Sequence, residues 1–296
     1  MEKGIQNINS FHLAGIVPIA GQKLDFNFPW HDCLQPIGKN YLAVERAVYE
    51  CACAGCETIW IVCHDDMQPL IRYRLGDYVQ DPQWINKNRL RIPEGVERPI
   101  PIYYIPIHPK DRDKRDCLGW SVLHGAQTAY WLSKTISQWV IPDKYYAAFP
   151  YGVYSPELLR PLRKQISSKK PFFVSYQNKT IKDNEYLGFT FDADDFKACR
   201  KIIRNEGTGI YVGYKEDKLP IEERWSARFF SLDKIFEPVN IEDANILKLL
   251  WYHNISSWDN LCGFLGSENN KRLDRPPAKV LGYHEWNPIG VNNEEE

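Results

Sequence analysis

Several features are scarce in this chain, and each absence removes a class of protein. No apolar run is long enough to cross a bilayer. The opening Met1-Glu-Lys-Gly-Ile-Gln-Asn7 lacks the apolar core of a signal peptide, so the chain reads as cytoplasmic, with its eight cysteines reduced. Those cysteines also lack metal-site spacing. Cys51, Cys53 and Cys56 do not form two paired knuckles, two of them fall inside an amphipathic helical pattern, and they read as small buried hydrophobes. Net charge is almost absent: 37 Lys and Arg against 38 Asp and Glu leave -1, which gives no broad pull toward nucleic acid while allowing a local basic surface. No internal repeat is found.

What is present describes a globular α/β protein. Hydrophobic residues make up 44% and charged residues 25% of the chain. Its 296 residues suffice for one large domain, expected over residues 10–265, followed by a C-terminal extension over 266–296. The aromatic content of 14%, with ten tryptophans, is read mainly as core and rim packing.

The most informative stretch runs from Gly15 to Asp66. Leu13-Ala-Gly-Ile-Val-Pro-Ile19 has the continuous apolar character of a buried parallel strand, and it empties at Ala20-Gly21 into a loop. That loop, Gln22 to Pro36, carries Lys23, Asp25, His31 and Asp32 among Phe26, Phe28 and Trp30, a polar and aromatic density that a plain connector does not need. Val44, Ala47, Val48 and Cys51 then fall at helical spacing, with Gly55 as the stop. Thr58-Ile-Trp-Ile-Val-Cys63 is a second buried strand ending in His64-Asp65-Asp66, where ligands approach an open parallel sheet.

The alternation continues. Ile100 to Ile107 reads as a strand, whose two prolines suggest an edge or a short central portion. The following loop, His108 to Asp116, places Lys110, Arg112, Lys114 and Arg115 ahead of a helix bearing Val122, Ala126, Ala129 and Ile136; such cations can hold a phosphate, or simply neutralise the acids that alternate with them. Tyr145 to Phe149, Phe172 to Tyr176, Tyr186 to Phe191 and Ile246 to Leu250 read as further strands, Asp194 to Asn205 as a helix, and Glu222 to Phe236 as helical in pieces. A short helix starts near Ser257, and the tail from Arg275 onward reads as an arm.

Six segments carry a family resemblance. Ile16-Val-Pro-Ile-Ala-Gly21, Leu34-Gln-Pro-Ile37 and Ala54-Gly-Cys-Glu-Thr-Ile-Trp-Ile-Val62 resemble the opening of sugar-phosphate nucleotidyltransferases, within the nucleotide-diphospho-sugar transferase superfamily of glycosyltransferase A-type fold. Leu118 to Ala126 resembles the family's helix start near the base, Tyr145 to Tyr151 its metal-binding strand end, and Trp251 to Leu261 the late segment that supplies a second metal ligand. The resemblance implies a Rossmann-like, mostly parallel sheet flanked by helices, and a transferase using a nucleoside triphosphate or nucleotide-sugar donor with Mg2+ or Mn2+. Its alternative is a catalytically inactive nucleotide-binding or interaction protein of the same fold. Nucleotide contact then falls to Ala20, Gly21, Gln22, Lys110, Arg112 and Arg115, and catalysis to Lys23, Asp25 and Asp32.

The chain departs from that family where chemistry happens. The family's Gly-x-Gly-Thr-Arg loop is shortened to Gly21-Gln22-Lys23, its lysine four residues before the Leu-x-Pro proline is Asp32, and its metal-binding aspartate is replaced within Phe149-Pro150-Tyr151. Substitute metal ligands are Asp65, Asp66 and Asn254, or Asp25 and Asp32; each of these acids could equally cap a turn. His31, His64 and His108 lie on the same presumed rim. A nucleic acid acceptor is compatible with the reading though not indicated by the charge. The segments His108-Pro-Lys-Asp-Arg-Asp113 and Tyr283-His-Glu-Trp-Asn-Pro288 also resemble parts of uncharacterised tailed-phage proteins, which would place the chain in a host cytoplasm.

Overall fold

Eight strands build one sheet: β1 (Leu13–Pro18), β2 (Thr58–Cys63), β3 (Tyr78–Gln80), β4 (Pro99–Pro106), β5 (Lys144–Ala147), β6 (Phe172–Ser175), β7 (Phe189–Phe191) and β8 (Asn245–Lys248). The computed structural model describes residues 11–21, 25, 27–83, 99–108, 111, 117–206, 211–212, 217–218, 230–277 and 280–281, with backbone only at 205–206, 211–212 and 217–218. Across the sheet the order is β8-β6-β7-β5-β1-β2-β4-β3. β1 pairs in parallel with β2 and β5, β2 with β4, and β6 with β8, while β7 runs antiparallel between β5 and β6 and β3 antiparallel to β4. Six strands therefore open their C-terminal ends on one edge, and the chain order reverses between β1 and β5, the place where such sheets hold ligands.

Every strand expected from the sequence is present, with ends shifted by a few residues; β3 was not foreseen. β4 lies one place in from the edge: Pro99 and Pro101 pair with the short β3, and Pro106 stands at the strand's last position, opposite Cys63 at the end of β2. Seven helices are described: α1 (Ala43–Ala54), α2 (Gln68–Leu75), α3 (Leu118–Ile136), α4 (Arg163–Ile166), α5 (Ala193–Glu206), α6 (Leu232–Ile235) and α7 (Trp258–Leu265). Successive residues of β1 face opposite sides. A side chain at Gly15 would run into Cys51 of α1, whereas Ile16 meets Gly125 of α3, so the two helices cover opposite faces of the sheet.

α1 is buried all round, including its charges. Arg46 Nη1 lies 2.8 Å from Glu50 Oε2, with both side chains fully buried. Arg46 Nη2 donates to the Phe149 carbonyl at 2.6 Å, its guanidinium stacks 4.9 Å over the Tyr154 ring, and Glu50 Oε1 accepts from Tyr146 OH at 2.7 Å and from Tyr154 OH. Burial, then the neighbouring Glu50 charge, holds both tyrosine hydroxyls protonated far above their ordinary range. Gly188 is required here, since a Cβ would lie 2.2 Å from Tyr146 Oη.

At its other end α1 is capped in two ways. Gly55 takes the left-handed conformation at φ 91°, and Arg163 donates to the Cys53 carbonyl at 2.8 Å and to the Ala52 carbonyl while gripping Asp81 with both terminal nitrogens. The beginning of the tail also packs. Arg275 Nη2 lies 3.0 Å from Glu45, Gln80 donates to the Val280 carbonyl at 2.9 Å, Leu281 bridges Val79, and Val280 and Leu281 are buried against the outer edge of β3. An edge that would otherwise offer free backbone groups is thereby covered.

Glu50→Ala leaves the Arg46 charge buried without its counter-ion and should cost about 3–5 kcal/mol in urea denaturation, with Glu50→Leu plus Arg46→Met recovering most of it. A loss under about 1 kcal/mol for Glu50→Ala would show that the pair does not hold α1 to the sheet.

Candidate functional site

The crevice is built from three segments distant in sequence. The first follows β1. Ile19 and Ala20 donate to the Val62 carbonyl at 2.9 and 3.0 Å, Ser121 Oγ of α3 donates to the Ala20 carbonyl at 2.5 Å, and Gly21 turns with φ 83°. A Cβ at Gly21 would sit 2.5 Å from the Cys117 carbonyl carbon, so only glycine lets the loop lie against the start of α3.

The second segment follows β5. Phe149, Pro150 and Tyr151 are buried, and Tyr151 OH donates to the Ile19 carbonyl at 3.1 Å. The third is the late segment. His253 and Asn254 pair antiparallel with Val153 and Gly152, and Ile255 donates to the Tyr151 carbonyl at 2.8 Å.

Asp25 closes the ring. Its Oδ2 accepts from the Trp258 amide at 3.0 Å, at the first turn of α7, while Oδ1 accepts from the Asn27 amide and side chain at 3.1 and 2.9 Å. Those donors, Trp258 first, hold its carboxyl below the usual carboxylate range. Phe28 meets the Trp258 ring edge-on at 6.0 Å between centroids. A carboxylate at a helix N-terminus is also favoured by the helix dipole.

Asp32 behaves differently. It is 1% exposed, its Oδ1 lies 3.0 Å from His31 Nδ1, and its charge adds to the burial that raises the Tyr151 hydroxyl. His31 Nδ1 also accepts from the Cys33 amide at 3.3 Å, capping the turn that follows it. Asp32 thus faces the protein interior, with both carboxylate oxygens buried. Asp65 and Asp66 are exposed after β2, and Asp66 Oδ1 accepts from the Met67 amide at 3.0 Å just ahead of α2. Asn254 Oδ1 accepts from the Ser256 amide at 3.0 Å and hydroxyl at 2.7 Å, the geometry of a side-chain turn.

Among the described residues no three His, Cys, Asp or Glu side chains gather in a way that suits a metal ion. The resemblance's metal position holds the buried Phe149-Pro150-Tyr151, and its late ligand Asn254 is engaged by Ser256, so the described residues do not fit a divalent cation in the family's manner. Gln22, Lys23, Lys110, Arg112 and Arg115 lie outside the described residues.

One polar cavity of about 460 Å³ opens beside the late segment, lined by Tyr176, Glu185, Tyr252, Asn254, Asp259 and Asn260 among others. It sits past the C-terminal end of β6, on the same edge as the ends of β1 and β5. Glu185 Oε2 accepts from Tyr252 OH at 3.2 Å, and Lys179 Nζ is 3.5 Å from Oε1. Burial, then the Glu185 charge, raises the Tyr252 hydroxyl, and burial lowers His253, whose Nε2 is 3.0 Å from Asn269 Nδ2. Sequence reasoning missed Glu185, Tyr252 and Asp259 as site residues. Their signal was available for the last two, which sit in the late segment already singled out.

No protein-family model matches the chain, and no curated protein matches it. Solved structures do. A protein assigned as a glucose-1-phosphate thymidylyltransferase from Bacillus anthracis, solved with sucrose, superposes with a TM-score of 0.55 at 9% identity over 90% of this chain and 98% of that one. A UDP-glucose pyrophosphorylase solved with UDP-glucose gives 0.48 at 13% identity over 86% and 97%, and 4-diphosphocytidyl-2C-methyl-D-erythritol synthase from Anaerococcus prevotii gives 0.46 at 11% over 89% and 96%. The chain has a nucleotidyltransferase-like α/β fold.

Because the Asp25 tie needs the ionised carboxylate and its folded value is depressed, it is fully present above the ordinary carboxylate range and is lost as pH falls through the folded value. Asp25→Ala should speed hydrogen exchange at the Trp258 amide at neutral pH, with the wild type approaching the variant on acidification. Equal exchange rates at neutral pH would show that the loop is held by other contacts.

Proposed function

We propose that the protein is a transferase taking a nucleotide-linked sugar as donor, with the sugar seated in the polar cavity past β6. The observation that supports this best is the cavity's chemistry: carboxylates at Glu185 and Asp259, amides at Asn254 and Asn260, and aromatic walls at Tyr176 and Tyr252 suit a polyhydroxylated ring more than an apolar ligand. The nucleotide half would lie toward the turn at Ala20 and Gly21, near the reversal of strand order. Phosphate charge in this reading is met by Lys23, Lys110, Arg112 and Arg115, and a Mg2+ or Mn2+ ion would arrive on the phosphates themselves, because Asn254 and the segment after β5 are already engaged.

A second reading is favoured by one observation. Phe149, Pro150 and Tyr151 fill the place where the resembling family keeps a metal-binding carboxylate, so the fold could bind a nucleotide sugar without turning it over.

Thermal shift against nucleoside triphosphates and nucleotide sugars, each with and without Mg2+ or Mn2+, tests the binding. A ligand at a hundred times its dissociation constant adds about 2.7 kcal/mol, or roughly 5 °C. Glu185→Gln should remove the extra shift of a nucleotide sugar over its nucleoside diphosphate. The absence of any shift would sink the reading, and binding with no donor consumption over hours with candidate acceptors would leave the silent binder.

A further inference from the structure

A second feature lies away from the crevice, on the sheet face covered by α3. α3 runs from the crevice edge toward the opposite edge, and α5, which follows the antiparallel β7, runs back beside it. Two cavities of about 730 and 300 Å³ lie between the helices and share Phe196, Lys197 and Arg200, forming one groove. Along α3 the lining residues span Trp120 to Trp131, about 16 Å at the helical rise.

The two walls have different chemistry. Lys197, Arg200, Lys201 and Arg204 recur at i, i+3, i+4 and i+7, and all four are exposed, so α5 presents one cationic stripe. Opposite stand Trp120, Tyr130 and Trp131 on α3, with Trp131 54% exposed and Lys134 Nζ 5.4 Å over its ring. Acidic residues stand at both ends of α5, Asp194 and Asp195 in its first turn and Glu206 at its last position. Asp194 pairs with Lys197 at 2.8 Å, and Asp192 and Asp195 accept amides of the helix's own first turn. In a chain of net charge -1, cations are locally concentrated here.

We propose that this groove binds single-stranded nucleic acid, with phosphates along the α5 cations and unstacked bases against Tyr130 and Trp131. The charge calls for a polyanion, and the aromatic wall selects among polyanions: exposed bases offer faces to stack on, which paired bases and acidic peptides do not. The length exceeds what one mononucleotide fills. This site is separate from the proposed sugar cavity, so either can fail without the other.

Fluorescence anisotropy with a labelled oligothymidylate of about 15 nucleotides tests it, at about 50 and 200 mM salt. Binding should weaken with salt at a log–log slope of roughly -2 to -3, as expected for about three or four phosphate contacts. Arg200→Glu with Lys201→Glu should weaken it at least about tenfold, while Trp131→Ala should weaken it several-fold with the salt slope unchanged, since stacking and charge are separate contributions. Both variants change exposed positions and should keep the melting temperature and any nucleotide-sugar shift of the parent. Absence of binding at the lower salt would overturn the proposal. So would affinity indifferent to the charge reversal, equal affinity for a duplex of the same length, or displacement by polyglutamate as effective as by unlabelled oligonucleotide.

Discussion

The crevice depends on a buried charge pair. Removing Arg46 and Glu50 from water carries a penalty of several kcal/mol per ion, which mutual attraction offsets only if the remaining hydrogen-bonding groups are met. Here Glu50 accepts from two tyrosines and Arg46 donates to the Phe149 carbonyl, which leaves Arg46 Nε as the pair's buried donor without a partner among the described residues and ties α1 to both β5 and the residues after it. The carbonyl it holds belongs to the segment where the resembling family supplies a metal ligand. The chain thus keeps the backbone of that strand end fixed while filling its side-chain positions with Phe149, Pro150 and Tyr151.

From that fixed point the rest of the rim is stitched outward. Tyr151 reaches the Ile19 carbonyl, its own carbonyl takes the Ile255 amide, and Asp25 reaches the Trp258 amide across 233 residues of sequence. Each tie joins segments that a flexible chain would hold apart at an entropic cost, so Asp25, Tyr151, Ile255 and Trp258 are held in place before any ligand arrives. Pre-ordering of this kind favours binding. Whether chemistry follows depends on the charged residues brought to the rim, and two of the expected ones, Asp25 and Asn254, already have structural duties.

The fold was legible because buried parallel strands are continuous apolar runs, and Leu13–Pro18 and Thr58–Cys63 were read almost to the residue. β3 was not, because Tyr78-Val-Gln80 is three residues long and its pairing depends on β4 and on Leu281, far away in sequence. The site was legible only as a region. Sequence order placed Asp25, Asp32 and Asn254 near the strand ends, but not which oxygen would be consumed by a backbone amide, since a side-chain turn and a metal ligand have the same residue types. Glu50 and Arg46 were hidden for a related reason: on a helix an i, i+4 acid and base usually mark a solvated face, and only the tertiary structure shows this pair to be fully buried.

The groove between α3 and α5 follows from the same architecture. Because β7 is inserted antiparallel, the helix after it returns toward the crevice edge, and its polar side lies beside α3 with no third helix over it among the described residues. Gly21 packs on Cys117, and three residues later Trp120 begins the aromatic wall, so the upper end of the groove adjoins the turn that follows β1. A strand lying along the cationic stripe would therefore run toward the crevice. The sheet's inserted antiparallel strand thus returns α5 beside α3 and opens the groove between them.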